Sequence, residues 1–154
     1  MASVMAYVHT LAVAVLVGKV VLLSFVVAPI LAKTLQREPF ANVVRQLFPV
    51  YYALGMGTAV TGVMAVSGLI ALSGASAALL TAGAIWLLVL LAEAYCRSPL
   101  TPLSNAIRDQ LKEQELRGAV DPDLQIMWNR LHQRSVALNS MVLLAGCILM
   151  ALVR

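Results

Sequence analysis

Four long runs of apolar residues, separated by polar segments, dominate the pattern of this chain. The runs cover about residues 4–32, 47–73, 75–96 and 135–153. A helix needs about 20 residues to cross the apolar part of a bilayer. Backbone groups in hydrocarbon must be hydrogen-bonded within their own segment, so each run is predicted to be a helix. The pattern therefore predicts an all-α polytopic membrane protein with four transmembrane helices in a bundle.

The composition supports this class. Of the 154 residues, 61% are hydrophobic and 12% are charged, whereas soluble domains average about 45–50% apolar and about 25% charged residues. A soluble globule and a disordered chain are both excluded, and the length predicts one domain, residues 1–154. The run over residues 4–32 is too long for the core of a signal peptide, so we interpret it as a true span.

The charged residues predict an orientation. Nine basic residues fall in the two loops that share one side: Lys33, Arg37, Arg45, Arg97, Arg108, Lys112, Arg117, Arg130 and Arg134. The opposite side carries Arg154 and the amino terminus. By the positive-inside rule, the basic loops face the cytoplasm, or its organellar equivalent, and both termini lie on the outer or lumenal side. Because topology explains the basic residues, no nucleic-acid partner is expected.

The segment 97–134, between the third and fourth spans, has a helical pattern of its own. Thr101 followed by a proline predicts a helix start, Gly118 a helix end, and Asp121 followed by a proline a second start. Both stretches are amphipathic. We interpret their apolar faces as lying on the membrane surface, and a partner-binding helix is the alternative.

Two features of the spans carry further expectations. The second span is rich in small residues, which predicts a central, closely packed helix: Ala53, Gly55, Gly57, Ala59, Gly62, Ala65, Ser67 and Gly68. Pro29 predicts a kink or an exit turn in the first span. Tyr51, Tyr52, Tyr95 and Trp128 are interpreted as an aromatic belt at the membrane boundary, not as a binding site.

Lys19 is the intramembrane charge of the first span. Such a charge costs at least about 2.5–3.5 kcal/mol on insertion scales and usually faces the bundle interior. Thr58 and Thr61 could accept hydrogen bonds from it. Glu93 is expected to lie about 13 Å closer to the inner face, by the helical rise, so no direct ion pair is expected. Lys19 is either part of a proton or ion relay or a satisfied charge that fixes packing, and we favour packing.

A polar cluster is expected in the inner third of the bundle, and it is the candidate site: Glu93, Arg97, His132, Ser135 and Asn139. A structural hydrogen-bond network is an equally good explanation. No phosphate-binding glycine loop, metalloprotease motif or catalytic triad pattern occurs, so the chain is expected not to be an enzyme.

Cysteines and histidines give little reason to expect a cofactor. Cys96 and Cys147 are expected to differ by about 20 Å in depth, too far for a disulfide. His9 and His132 are expected in opposite leaflets, so they cannot share one metal or haem. No cofactor and no metal site are therefore predicted, although a single His–Met pair stays open.

Two blocks resemble the transmembrane protein 205-like family. The first runs from Phe25 to Gly55 and contains Phe48-Pro49-Val50-Tyr51 at the start of the second span. The second is Leu131 to Asn139, in which His132, Ser135 and Asn139 match the family's His-x-x-Ser-x-x-x-Asn pattern. Ala32 departs from the phenylalanine that the family often has there. The resemblance implies a four-helix membrane bundle and no particular reaction. A weaker similarity to the copper-resistance membrane domain family comes without that family's multiple histidines.

Few buried polar groups, a helix rich in small residues and small extramembrane parts together favour one function. We expect a non-enzymatic integral membrane protein that contacts lipid and packs against other membrane subunits as an accessory subunit. A small solute or ion transporter or resistance factor, using Lys19 and the inner polar cluster, is the alternative. A haem- or quinone-linked redox protein is the third hypothesis.

Overall fold

The computed structural model describes residues 1–153, and the described chain is helical from end to end apart from short connections. Its elements are α1 (Ala2–Val21), a π-helical segment (Leu22–Val27), α2 (Ala28–Thr34), α3 (Arg37–Ser73), α4 (Ala77–Tyr95), a second π-helical segment (Cys96–Leu100), α5 (Thr101–Leu116) and α6 (Pro122–Leu152). The prediction about Arg154 lies outside the described residues.

These elements form four continuous helices long and apolar enough to cross a membrane. They run over Ala2–Thr34, Arg37–Ser73, Ala77–Leu116 and Pro122–Leu152. The predicted all-α class and the four-span plan are confirmed. Each helix is longer than its apolar run, because the helices continue through the polar segments on the side of the basic loops, called the inner side below.

The four helices pack as a ring. Helix α3 packs against α1 and α4, and α6 closes the ring by packing against the same two helices. Thus α1 and α4 stand at opposite corners, as do α3 and α6. A ring has no central helix, so the predicted central position of the second span is not found. Of the four helices, α3 has the most extensive packing against its neighbours. This agrees with the close packing that its small residues predicted.

The helix ends follow local chemistry. Gly118, with a φ of 78°, ends α5, and the Asp121 side chain accepts a hydrogen bond from Asp123 N at 2.9 Å to start α6. The predicted helix end at Gly118 and the predicted helix start at Asp121 are both confirmed. The predicted start at Thr101 is wrong. The helix runs through this point, and Thr101 Oγ1 donates to the Cys96 carbonyl oxygen at 2.7 Å.

The two π-helical segments lie where Pro29 and Pro99 occur in continuous helices, whereas Pro49 lies inside α3 without such a segment. A proline ring clashes with the carbonyl four residues earlier and lacks an N–H group. One segment directly precedes α2, which contains Pro29, and the other contains Pro99. The wider π turn removes the i−4 hydrogen bond that a proline cannot make. Of the two alternatives predicted at Pro29, a kink or an exit turn, the exit turn is wrong, since the helix continues to Thr34.

The inner segment projects from the bundle as extensions of its helices. Ile107 and Leu111 of α5 and Leu131 of α6 are buried in the protein core. The interpretation of these faces as lying on the membrane is wrong, because they pack on one another and on α3 instead. Three ion pairs join α3 to α5: Arg37–Glu115 at 2.8 Å, Lys112–Glu38 at 2.6 Å, and Arg45–Asp109.

Candidate functional site

A buried ion pair joins opposite corners of the ring. Lys19 Nζ of α1 lies 2.5 Å from Glu93 Oε1 of α4, and the two side chains are 4% and 1% exposed. The prediction that they would not pair is wrong. The first helix has 33 residues, more than the about 20 that cross a bilayer. The middle of its apolar run is therefore not the middle of the bundle, and the depth estimate misplaced Lys19.

The surroundings of the pair come from α3. Lys19 Nζ lies 4.0 Å from the centroid of the Tyr51 ring, a cation–π distance. Gly55 faces the pair so closely that a β-carbon there would collide with both charged groups. The predicted threonine acceptors are not used. Thr58 and Thr61 instead donate to backbone carbonyls of their own helix, at 2.8 and 3.0 Å.

A second contact between α1 and α4 lies nearer the outer end. The rings of His9 and Trp86 meet edge to face, with centroids 5.9 Å apart and planes at 86°. A β-carbon at Gly62 would collide with the Trp86 ring. Within residues 1–153 neither ring nitrogen of His9, nor Trp86 Nε1, has a hydrogen-bond partner. Gly55 and Gly62 are seven residues apart, so they share one helix face and make room for both contacts.

Hydrogen bonds join the other two corners, α3 and α6, towards the inner end. Tyr51 Oη donates to Asn139 Oδ1 at 2.8 Å, and Tyr52 Oη lies 3.1 Å from Ser135 Oγ. Asn139 Nδ2 lies 3.4 Å from Tyr52 Oη. The Phe48 ring stacks on Tyr52 with centroids 5.7 Å apart. Asn139 is thereby hydrogen-bonded to both tyrosines of α3, on the opposite side of the ring.

Sequence reasoning missed the two tyrosines, which it placed in an aromatic belt. Both are buried, and their hydroxyl groups complete the α3–α6 network. One signal could have found them. Tyr51 belongs to the Phe48-Pro49-Val50-Tyr51 motif, and a buried tyrosine hydroxyl in a membrane needs a polar partner on another helix.

The five residues of the predicted cluster do not meet in one place. Ser135 and Asn139 belong to the tyrosine network, and Glu93 belongs to the ion pair. Arg97 and His132 are exposed. The second π-helical segment begins at Cys96 and adds a residue to the turn. Cys96, the first residue of this segment, is buried, whereas Arg97 next to it is exposed.

A groove opens beside the tyrosine network, between the α1–α2 helix and α6, and five residues of α3 also line it: Phe40, Val44, Leu47, Phe48 and Tyr52. It has a volume of about 570 Å³ and extends to α5 at its inner end, within the range of about 300–1,000 Å³ that is typical of small-ligand sites. Its walls are mostly apolar. The exposed side chains of Phe25 and Val136 belong to its two sides. The predicted residues His132, Ser135 and Asn139 all line it.

The structure places the metal-binding residue types apart. Across residues 1–153, no group of three or more His, Cys, Asp or Glu side chains could hold a metal ion. His9 packs on Trp86 near the outer end, whereas His132 lines the inner groove. Cys96 is buried and Cys147 is exposed, and both are free.

Comparison with known proteins identifies a family. No curated protein and no solved structure matches the chain. A family described as "Domain of unknown function (DUF4149)" matches residues 11–113. The matched region contains Lys19, Glu93 and both tyrosines but not Ser135 and Asn139. Because the match covers more than half of the sequence, the chain belongs to the family described as "Domain of unknown function (DUF4149)".

Proposed function

We propose that the protein is a non-enzymatic accessory subunit that packs in the plane of the bilayer against the helices of another membrane protein. The supporting observation is the filled interior of the ring. The contacts His9–Trp86, Lys19–Glu93 and Tyr51–Asn139 follow one another from the outer to the inner end and join opposite corners. Apart from the groove near the inner end, these side chains fill the space between the helices, so the lipid-facing surface is left for interaction.

The outer surface suits contact with lipid and with other apolar helices. Exposed large apolar side chains occur on every span, for example Phe25, Met64, Leu88, Leu91 and Leu144. Gly57 and Gly18 also face open space, with nothing within 4 Å of a β-carbon placed there. Small residues on an outer face allow the backbone of a partner helix to come close.

Purification from native membranes tests the accessory role. A tagged full chain extracted in mild detergent is expected to bring down a second membrane protein in fixed ratio. Leu88→Trp, on the exposed face of α4, should weaken that association if the partner covers this face. Ala75→Trp, in the connection between α3 and α4, is the control. Recovery of the bare chain from native membranes under the mildest extraction would contradict the proposal.

The resemblance to the transmembrane protein 205-like family belongs to the same proposal. Its two sequence blocks contact each other, since Tyr51 of the first donates to Asn139 of the second at 2.8 Å. The two motifs are far apart in sequence, and this hydrogen bond brings them together in the structure. The DUF4149 match ends at residue 113. The second block therefore supports the resemblance independently of that match.

Transport of a small solute or ion is the second candidate, and one observation favours it. Glu93 Oε2 is buried and has no hydrogen-bond partner within residues 1–153, and ionisable groups inside membranes often serve transport. Proteoliposomes that contain the purified chain test this idea. A flux that Lys19→Met abolishes, while the bundle stays folded, would favour transport over the accessory role.

A further inference from the structure

The groove between the α1–α2 helix and α6 ends at a half-buried arginine. Arg108 of α5 lines its inner end, and the guanidinium carbon lies 5.7 Å from the centroid of the Trp128 ring. Three other cations of this region, Arg37, Arg45 and Lys112, are paired with carboxylates. Among the described residues Arg108 has no such partner within 4 Å. The four cations of this region face three carboxylates, Glu38, Asp109 and Glu115, so one positive charge is left over at this end of the groove.

Polar side chains without hydrogen-bond partners in the protein also line the groove. Ser104, Asn105 and His132 line the same end of the groove. No side-chain hydrogen bond within residues 1–153 involves them. Donors and acceptors at the mouth of an apolar groove are the arrangement that orients a ligand with one polar end.

The rest of the groove is long and mostly apolar. Its walls include Leu23, Ala28 and Leu31 on the α1–α2 helix, and Val136 and Leu143 on α6. Along α6 the lining extends from Trp128 to Leu143, which is about 22 Å at 1.5 Å per residue. One leaflet contributes about 15 Å of hydrocarbon. The groove is therefore long enough for one acyl chain and the headgroup above it.

We propose that this groove binds one anionic phospholipid of the leaflet on the side of the basic loops. An acyl chain lies between α2 and α6, and the phosphate binds the guanidinium of Arg108. The planar fork of arginine matches two phosphate oxygens. Basic pockets between transmembrane helices on the cytoplasmic side bind such headgroups. This inference does not depend on the accessory role.

Native mass spectrometry of the purified full chain tests the headgroup. Phosphatidylglycerol and phosphatidylcholine with identical acyl chains are offered in turn, and we expect the chain to retain phosphatidylglycerol preferentially. Arg108→Gln should weaken that retention about tenfold, the effect of losing one of the two charge-assisted hydrogen bonds, since the glutamine amide can still donate one. The control is Arg97→Gln, since Arg97 is exposed and does not line the groove. Equal retention of both lipids, or equal loss in both variants, would overturn the proposal.

A second pair of variants tests the acyl chain. Val136→Trp fills the groove from the exposed face of α6, and Ile148→Trp places the same ring on an exposed position of α6 outside it. Phosphatidylglycerol should raise the melting temperature of the wild type and of Ile148→Trp but not of Val136→Trp. If inorganic phosphate stabilises the wild type as strongly, the site takes a soluble anion. A second polypeptide retained in place of lipid would equally overturn the lipid assignment.

Discussion

Among single residues, the glycines of α3 matter because large side chains of other helices lie against them. Gly55 faces the Lys19–Glu93 pair and Gly62 faces Trp86, so both leave room for large side chains from α1 and α4. The sequence predicts that α3 is closely packed, because small residues recur along it. It does not predict which side chains fill the space, because that depends on the rotation of three other helices.

Substitution of these glycines distinguishes the faces of α3. Gly55→Ala and Gly62→Ala should each lower the free energy of unfolding in detergent by about 1–3 kcal/mol, because the added methyl group overpacks the interior. Gly57→Ala is the matched control, since its β-carbon meets nothing within 4 Å. It should stabilise the helix by about 0.5–1 kcal/mol. Similar destabilisation of all three variants would contradict the assignment.

At the scale of elements, opposite helices of the ring are joined by side chains that reach across it. The sequence predicts the spans and the helix ends at Gly118 and Asp121, because these depend on local apolar runs and capping residues. It fails at Thr101 and Pro29, where π-helical segments let the helices continue. It also fails to place Arg97 and Tyr52, because the exposure of the first and the cross-ring hydrogen bond of the second depend on tertiary packing.

The hydrogen bonds between α3 and α6 should make a measurable contribution to the free energy of unfolding. Asn139→Leu should lower the free energy of unfolding by about 0.6 kcal/mol and by no more than about 1.7, the range for hydrogen bonds between transmembrane helices. Tyr51→Phe removes the donor of the same bond. The effect of the double variant should therefore be smaller than the sum of the single effects. Strict additivity of the two substitutions in thermal unfolding would mean that the bond contributes nothing.

At the scale of the whole molecule, the orientation in the membrane stays a prediction from the basic loops. A membrane-impermeant amine reagent applied to intact cells should leave Lys112 unlabelled, because its loop is expected to face the cytoplasm. A tag at the amino terminus should be cleaved by added protease. Labelling of Lys112 together with a protected tag would reverse the orientation. The positions of the helices in the bundle would not change.

The ion pair between α1 and α4 is the contact on which the filled interior most depends. Removing one member leaves a buried charge without a partner and should cost about 3–5 kcal/mol, whereas replacing both with apolar residues is often neutral. Lys19 and Glu93 were each recognisable in the sequence, but their pairing was not, because the apolar run of the first span is longer than the bilayer is thick.

Thermal unfolding of Lys19→Met, Glu93→Met and the double variant in one detergent tests this account most directly. Each single variant should unfold at a clearly lower temperature than the wild type. The double variant should recover most of the loss, because no unpaired charge remains buried among α1, α3 and α4. A double variant whose destabilisation equals the sum of the two single effects would contradict the pair, and with it the filled interior.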